Sequence, residues 1–251
     1  MKRSIALLLV CMIAVTALSA CSFIPNIRRP KPTQPVNTTP TAAAVTEAPA
    51  PTEAPAPTQA PIGSLDNYVK TAKKATYTSE DGNTKTYQIP EILLDSDEAK
   101  AANSEIMERF GDDVKEYTEY SPVVSLDYEA YLNDEYLSVI VTGTFDGGNS
   151  YGLCYTFSVV NGNELNSATL CSATGHDYND ALSDLTENLT EIYDEKYGSM
   201  PGNEGERSKT LDSANIKAAK MYLDGSGNLM AMVDVYAAVG GGHWIYTVSA
   251  E

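Results

Sequence analysis

A proline-, threonine- and alanine-rich tract limits which part of this 251-residue chain can fold. It includes the degenerate repeat TEAPAPTEAPAPTQAP and offers almost no side chain for a core. Such a tract cannot offset the entropy that ordering would cost, so we expect residues 22–62 to form an extended linker, partly in the polyproline II conformation. Fully extended at about 3.1 Å per residue, the linker would reach on the order of 100 Å. Residues 63–251 are then the part that can form a domain with a core.

The segment before the linker predicts export and lipidation. Residues 1–20 begin with Lys2 and Arg3 and continue with an apolar run that is typical of a signal peptide and too short for a membrane-spanning helix. The tetrapeptide LSAC, which ends at Cys21, resembles the lipobox of bacterial lipoproteins. Two acyl chains on this cysteine would anchor the mature protein stably, so we expect it at the extracytoplasmic face of the bacterial cell membrane. An ordinary signal peptide with a chance cysteine is the alternative.

The charge of residues 63–251 argues against some classes of partner. The chain has 17 basic and 34 acidic residues, of which five and two precede Gly63, leaving 12 against 32 and a net charge of about −20. Nucleic acid and anionic lipid surfaces require basic patches, so we expect neither to bind this domain. A cationic protein would be attracted to it. A charge that serves only solubility is the alternative.

Apolar periodicity predicts an α+β domain. Two long helices are predicted in DSDEAKAANSEIMERFGDDVKEY, where Asp95 and Glu98 resemble a capping box, and in HDYNDALSDLTENLTEIYDEKYG. The first would bury a stripe from Ala99 to Tyr117, and the second would turn Leu185 and its apolar neighbours inward. Because the helices and strands do not alternate, we expect antiparallel sheets with the two main helices packed on one face.

The remaining segments predict mainly hairpins. Turns are expected at residues 81–83 and 224–228, and HWIYTVS is expected to be the last strand. Between the two helices we predict a four-stranded meander that ends with ELNSATL. LDNYVKTAKKA indicates a short opening helix or a continuation of the linker, and SMPGNEGERSKT indicates an irregular connection.

Two cysteines lie in the expected domain. If the last hairpin of the meander turns at residues 162–163, Cys154 and Cys171 lie opposite each other. Disulfides persist outside the cytoplasm, so a disulfide between them and a pair of buried free thiols are both open alternatives.

No motif predicts catalysis. The chain contains only two histidines, His176 and His243, and lacks the G-x-S-x-G, H-E-x-x-H and C-x-x-C patterns. A calcium loop starting at Asp224 would need a glutamate at its twelfth position, where Val235 stands. We therefore expect no enzymatic activity, no metal site and no cofactor.

A glycine-rich hairpin is the candidate contact surface. In GTFDGGNSYGLCY, residues 147–152 lie between two strand-like segments, and loops carried by a rigid sheet commonly serve recognition. The chain has 16 tyrosines against four phenylalanines, and tyrosine suits half-buried sheet faces as well as binding surfaces. Glycine at a turn is explained by its conformational freedom alone, so a purely structural hairpin stays open.

The order of segments resembles a known family. It runs from YQIPEI and its following helix, through YLSVIVTGTFDGGNSYGLCYTFSVVNGNEL and the helix ending in IYDEKYG, to MYLDGSGNLMAMVDVYAAVGGGHWIYTV. Together these segments resemble the extracytoplasmic domain of RsiV-type anti-sigma factors, which also accompanies polysaccharide deacetylases. The resemblance implies binding of lysozyme. Because we expect neither a spanning helix nor a sigma-binding segment, it implies binding rather than signalling.

The sequence thus favours a lipid-anchored binding or sensing module that captures a cationic protein such as lysozyme. A binder of cell-wall glycan or another envelope component is the alternative, and an envelope hydrolase is the least expected. The pattern predicts no oligomeric state. The candidate partner-binding residues are Gly147, Gly148, Asn149, Tyr151, His243 and Trp244.

Overall fold

A computed structural model describes residues 62–115, 122–236 and 242–251. The expected signal peptide, the lipidation site Cys21 and nearly all of the linker lie outside the described residues, as does Tyr117 at the end of the first predicted helix. In the three described ranges, no helix combines the length and the apolar character that crossing a membrane requires.

Eight strands and five α-helices lie in the described residues, after a single 3₁₀ turn at Leu65–Asn67. The strands are β1 (Val69–Thr78), β2 (Thr84–Ile92), β3 (Val123–Asn133), β4 (Tyr136–Phe145), β5 (Ser150–Ser158), β6 (Lys220–Leu223), β7 (Leu229–Tyr236) and β8 (His243–Ser249). The helices are α1 (Asp97–Lys115), α2 (Ser167–Thr174), α3 (Tyr178–Tyr197), α4 (Glu204–Thr210) and α5 (Ser213–Ala218).

The strands form two sheets, and the α+β class is confirmed. One sheet has the order β1-β2-β3-β4-β5 and the other β6-β7-β8. Every neighbouring pair is antiparallel except β2 and β3, which run parallel and meet at Tyr87 and Leu126. Parallel neighbours need a long crossover, and α1 lies in the chain between these two strands. The five-stranded sheet is therefore mixed rather than purely antiparallel.

The elements form four layers: α1, the five-stranded sheet, the three-stranded sheet and α3. One core lies between α1 and the five-stranded sheet, and another between α3 and the three-stranded sheet. A smaller core lies between the two sheets. The expectation that both helices share one face is therefore wrong, because each helix covers its own sheet. The buried residues of the core between the sheets are Ile140, Cys154, Tyr222 and Met232.

Strand β4 shows in its sequence that both of its faces are covered. Val139, Ile140 and Val141 are consecutive, and all three are buried. A strand with one solvated face would alternate apolar and polar residues, whereas an unbroken apolar run suits a strand packed on both sides. Val139 and Val141 face α1, and Ile140 faces the other sheet.

Helix α1 has the predicted apolar stripe with a different cap. Its buried side chains run from Ala99 to Val114, with Phe110 fully buried between them. The Oγ of Ser96 accepts the N–H of Ala99 at 3.1 Å. The predicted box of Asp95 and Glu98 is therefore displaced by one residue, and Asp95 forms an ion pair with Lys100 instead.

Helix α3 also confirms its prediction. Asp177 caps it by accepting the N–H groups of Asn179 and Asp180, at 2.8 and 3.1 Å. Leu185 and Leu189 are fully buried. The apolar neighbours one turn away on either side, Leu182 and Ile192, pack against the same core while remaining partly exposed.

The predicted fourth strand of the meander is a helix. The side chain of Asn166 accepts the N–H of Thr169 and starts α2, and Gly175 ends it with a φ of 82°. Only an isolated bridge between Phe157 and Glu164 remains of the expected pairing. The connection in SMPGNEGERSKT contains α4, and LDNYVKTAKKA leads into β1 instead of forming a helix.

Three hydroxyl groups satisfy the outer edge of β6. Ser138 Oγ accepts the N–H of Leu223 at 3.1 Å, and Thr156 Oγ1 donates to the carbonyl of Met221 at 3.2 Å. Ser167 Oγ accepts the N–H of Met221 at 3.1 Å. Buried backbone groups without partners are costly, so these hydroxyls allow a short edge strand to be enclosed.

Candidate functional site

The turn between β4 and β5 requires its two glycines. Gly147 and Gly148 have φ values of 98° and 84°, and the N–H of Gly148 donates to the carbonyl of Phe145 at 3.0 Å. Phe145 N also donates to Asn149 O at 2.8 Å, so Asp146, Gly147 and Gly148 form the loop, and glycine adopts its two positive φ values without a steric penalty. Both glycines are exposed, and Asn149 is half-buried beside them. The turn is thus explained by backbone geometry, and it also presents main chain to solvent.

An aromatic cluster adjoins this turn. The ring of Phe145 lies 4.9 Å from that of Tyr151 and 5.7 Å from that of Trp244. The ring of Phe110, on α1, lies 5.5 Å from that of Tyr151. Tyr151 pairs with Gly143 on β4, where a Cβ atom would overlap the tyrosine ring. We call Phe145, Tyr151 and Trp244 the aromatic cluster.

The structure therefore brings the candidate residues Tyr151 and Trp244 together through Phe145, which the sequence analysis did not single out. Phe145 precedes the predicted turn, and its position on an alternating strand was the available signal. Arg109 of α1 lies over Tyr151, with its guanidinium carbon 5.9 Å from the ring centre. All three rings of the cluster are partly exposed, so the cluster is both packed and accessible.

His243 is separated from the aromatic cluster. It precedes Trp244 on β8, and successive strand residues point to opposite faces. Its ring lies 5.6 Å from that of Tyr236, and its Nε2 lies 4.0 Å from a carboxylate oxygen of Asp234. The candidate set is therefore split into the turn with Tyr151 and Trp244 and, on the other face of β8, His243.

Thr174, His176 and Glu251 form a hydroxyl–imidazole–carboxylate series like that of a catalytic triad, but the hydroxyl is not activated. The Nδ1 of His176 lies 2.9 Å from Thr174 Oγ1 and its Nε2 lies 3.2 Å from Glu251 Oε2. The Thr174 hydroxyl, however, lies 2.9 Å from the carbonyl of Leu170, to which it donates its proton. A nucleophile needs that proton to be taken by the base, so this geometry does not activate Thr174. It closes the end of α2 instead.

Of the two alternatives left open for Cys154 and Cys171, the structure shows the pair of buried free thiols and not the disulfide. Cys154 lies on β5 between the sheets, and Cys171 lies in α2, where the opposing strand had been expected. The Cys171 Sγ lies 3.6 Å from the sulfur of Met221. Burial raises the pKa of the Cys154 thiol to about 12, so it stays protonated and unreactive at neutral pH.

A groove of about 290 Å³ lies beside β5. Three carboxylates and one ammonium group line it, and they belong to Glu105, Glu164, Asp234 and Lys220. The Tyr155 hydroxyl donates to Glu105 at 2.8 Å, and Lys220 pairs with Glu164 at 3.2 Å. Burial, and then the neighbouring Glu105, raise the pKa of Tyr155, so it remains a donor. Sequence reasoning missed this groove because its residues come from separate helices, strands and loops.

No protein-family model and no curated protein matches this sequence.

Proposed function

We propose that the chain is a lipid-anchored binding module at the extracytoplasmic face of the bacterial membrane, and that it captures a cationic protein such as lysozyme. The observation that carries this proposal is the net charge of about −20 on residues 63–251, together with the position of the acidic residues on the outer layers of the fold. The RsiV-type resemblance names the class of partner.

Both outer layers present acidic side chains. Because α1 and α3 cover the two sheets from outside, the face of each helix that is not packed on a sheet meets solvent. On α1, Glu98 and Glu108 are exposed, and on α3, Glu187 and Glu191 are exposed. Such an arrangement produces a negative potential around the domain that attracts cationic proteins and accelerates their association.

The aromatic cluster supplies a candidate anchor on the same domain. Tyrosine and tryptophan are enriched among the residues that contribute most to protein interfaces, since they bury a large apolar area and retain a polar group. Phe145 holds Tyr151 and Trp244 in place beside the exposed turn at Gly147 and Gly148. The candidate contact surface is thus partly preorganised, which lowers the entropy lost on binding.

The membrane anchor remains a prediction from Cys21, which lies outside the described residues. A Cys21→Ser variant is expected to lose lipid labelling and to be released from the membrane fraction. Labelling of cells with an alkyne-bearing fatty acid, followed by detection of the purified chain, measures this directly. Retention of the label in the variant would remove the lipidation hypothesis.

Capture is tested by titrating the full chain with egg-white lysozyme over a series of salt concentrations. Exposed charges more than about 10 Å apart are largely screened at 0.1 M salt, so affinity should fall steadily as salt rises. Succinylated lysozyme, in which the lysine charges are reversed, is the matched control and should not bind. Absence of binding by native lysozyme at low salt would overturn the proposal.

The aromatic cluster also supports a second candidate, a binder of cell-wall glycan. Trp244 is the single tryptophan and lies in this cluster, so its fluorescence reports on the surface without labelling. Titration with muropeptides should change this fluorescence if sugars stack there. A flat response alongside lysozyme binding would leave protein capture as the function.

A further inference from the structure

Strand β5 is the last strand of the five-stranded sheet, so one of its edges has no neighbouring strand. In antiparallel pairs, hydrogen-bonded and non-bonded residue pairs alternate. The bond from Phe145 N to Asn149 O, at 2.8 Å, fixes which pairs of β4 and β5 are bonded. In that register, the peptide groups of Gly152 and Cys154 point away from β4, and both residues line the groove beside β5. Gly152 is half-buried, and Cys154 is 3% exposed.

The far end of the same edge is closed. Ser158 N donates to Asn163 O at 3.0 Å, and Leu165 N donates to Thr156 O at 2.7 Å. The chain that leaves β5 thus folds back along its last residues. Within residues 62–115, 122–236 and 242–251, nothing pairs in this way with the outward peptide groups of Gly152 and Cys154.

The opposite edge of the sheet carries charges and a bulge that hinder pairing, whereas the β5 edge at Gly152 and Cys154 carries neither. Strand β1 carries Lys70, Lys73 and Lys74, and its register with β2 shifts between Thr71 and Lys73. Edge lysines and bulges are the usual devices that prevent other chains from adding to a sheet. Strand β5 has the sequence SYGLCYTFS, with no charge and no proline, and pairs with β4 without a register shift.

The groove beside the open edge is negatively charged. Glu164 is paired with Lys220, which leaves Glu105 and Asp234 as the carboxylates without a cation within the groove. The hydrogen bond from Tyr155 holds Glu105 at the rim. The groove is therefore lined both by β5 residues whose peptide groups point away from β4 and by two carboxylates, those of Glu105 and Asp234.

We propose that this open edge binds an extended, lysine- or arginine-containing segment of a partner protein as a sixth strand of the sheet. The peptide groups of Gly152 and Cys154 form the main-chain hydrogen bonds, and the carboxylates of Glu105 and Asp234 receive the basic side chain. This inference rests on the proposed function only for the positive charge of the partner.

Two other occupants fit the edge less well. The repeat in the chain's own linker is rich in proline, which has no N–H to donate, and its charged residues Glu47 and Glu53 have the same sign as the groove. A second copy of the chain, paired edge to edge, would bring two sets of groove carboxylates together. Charge complementarity therefore favours a basic segment of another protein.

The test uses the peptide acetyl-Thr-Val-Lys-Val-Thr-amide and the full chain. Two N-methylated versions are compared with it, one blocked at the second and fourth residues and one at the third, because only one edge of the peptide can face β5. We expect one version to bind as the parent peptide does and the other to lose about tenfold or more in affinity. Equal affinity of all three peptides would overturn the proposal.

Hydrogen exchange provides a measurement on the unaltered protein. Bound peptide should slow the exchange of the Gly152 and Cys154 amides, while the lysine-rich edge at β1 stays unchanged. Protection at β1 and not at β5 would contradict the assignment.

Charge variants test the groove. Glu105→Gln together with Asp234→Asn should weaken the peptide by about tenfold at low salt, whereas Glu187→Gln with Glu191→Gln removes the same charge from α3 and should change affinity little. Equal effects of the two pairs would contradict a local role of the groove.

If lysozyme binds but the peptide does not, the edge site is wrong and the proposed function stands. If the peptide binds but lysozyme does not, the edge site stands and the proposed capture of lysozyme is wrong. Edge-to-edge dimers displaced by the peptide would identify a second copy as the occupant and overturn the proposal.

Discussion

The two halves of the domain hold their helices in different ways. Helix α1 packs on the five-stranded sheet through apolar side chains. Its main polar contact is Asn103, whose amide accepts from the N–H of Ile92 and donates to the carbonyl of Ile92, at 2.8 Å each. Helix α3 is tied to the three-stranded sheet by a buried polar group. The Tyr193 hydroxyl lies 2.7 Å from Asn203 Oδ1 and 3.0 Å from the carbonyl of Tyr236.

The difference shows how each half is encoded. The apolar stripe of α1 repeats every three or four residues, so it can be recognised within one segment. The polar contacts of α3 depend on Asn203, which lies in a segment that reads as an irregular connection and which also donates to the carbonyl of Tyr197. Asn203 thus ties this segment to α3, and the Tyr193 hydroxyl that it accepts from also contacts the carbonyl of Tyr236 on β7. We therefore expect the first half to respond to loss of volume and the second to loss of hydrogen bonds.

The largest expected effect is in the first half. Phe110→Ala should lower the free energy of unfolding by about 3–5 kcal/mol, because it removes a fully buried ring and leaves a cavity beneath Tyr151. Urea denaturation followed by circular dichroism measures the change. Met107→Ala, on the same helix and 38% exposed, is the control and should cost well under half as much. Equal losses would show that the α1 core does not carry this half.

Asn203→Ala should produce the next largest effect, about 1–3 kcal/mol, because the buried Tyr193 hydroxyl loses a partner. Tyr193→Phe alone should cost less, since it removes the hydroxyl and leaves no unpaired donor on the ring. In the double variant the two losses should not add, because the residues share one interaction. Strict additivity in thermal unfolding would contradict the proposed polar tie.

The contact between the halves should give a smaller effect. Ser138→Ala leaves the buried N–H of Leu223 without its acceptor, and we expect a loss of about 1–2 kcal/mol. Ser125→Ala, a half-exposed serine on the neighbouring strand, is the control. Amide exchange at Leu223 should accelerate only in the first variant. Unchanged exchange there would mean that the hydroxyl does not close the edge of β6.

The smallest effect concerns the exposed ion pair beside α3. Arg207 contacts Asp194 through two hydrogen bonds of 2.7 Å and lowers the pKa of that carboxyl below its ordinary value. A lowered carboxyl pKa stabilises the fold above the pKa of the unfolded chain, and this contribution is lost as pH falls through the folded value. Asp194→Asn should therefore lower stability slightly at neutral pH, and the difference from the unaltered chain should disappear as pH falls below about 4, which reduces the slope there. An altered slope above that pH would contradict the assignment.

The candidate site divides in the same way as the fold. The turn at Gly147 and Gly148 was predictable, because a double glycine between alternating segments needs no distant contact. The neighbourhood of Tyr151 and Trp244 was not, since Phe145 joins residues from two different sheets. The fate of Cys154 and Cys171 depended on whether one short segment was strand or helix. In that segment the side chain of Asn166 caps α2, so the residues that follow it form a helix and not the strand that the hairpin pattern predicted.

The sequence by itself determined the negative charge, the long helices and most strands, because charge and periodicity can be recognised within a single segment. The tertiary structure alone decided the order of the four layers, the parallel pairing of β2 and β3, the free thiols and the acidic groove beside the open edge of β5. These features depend on contacts between residues far apart in the chain. Such contacts produce no pattern within a single segment of the sequence.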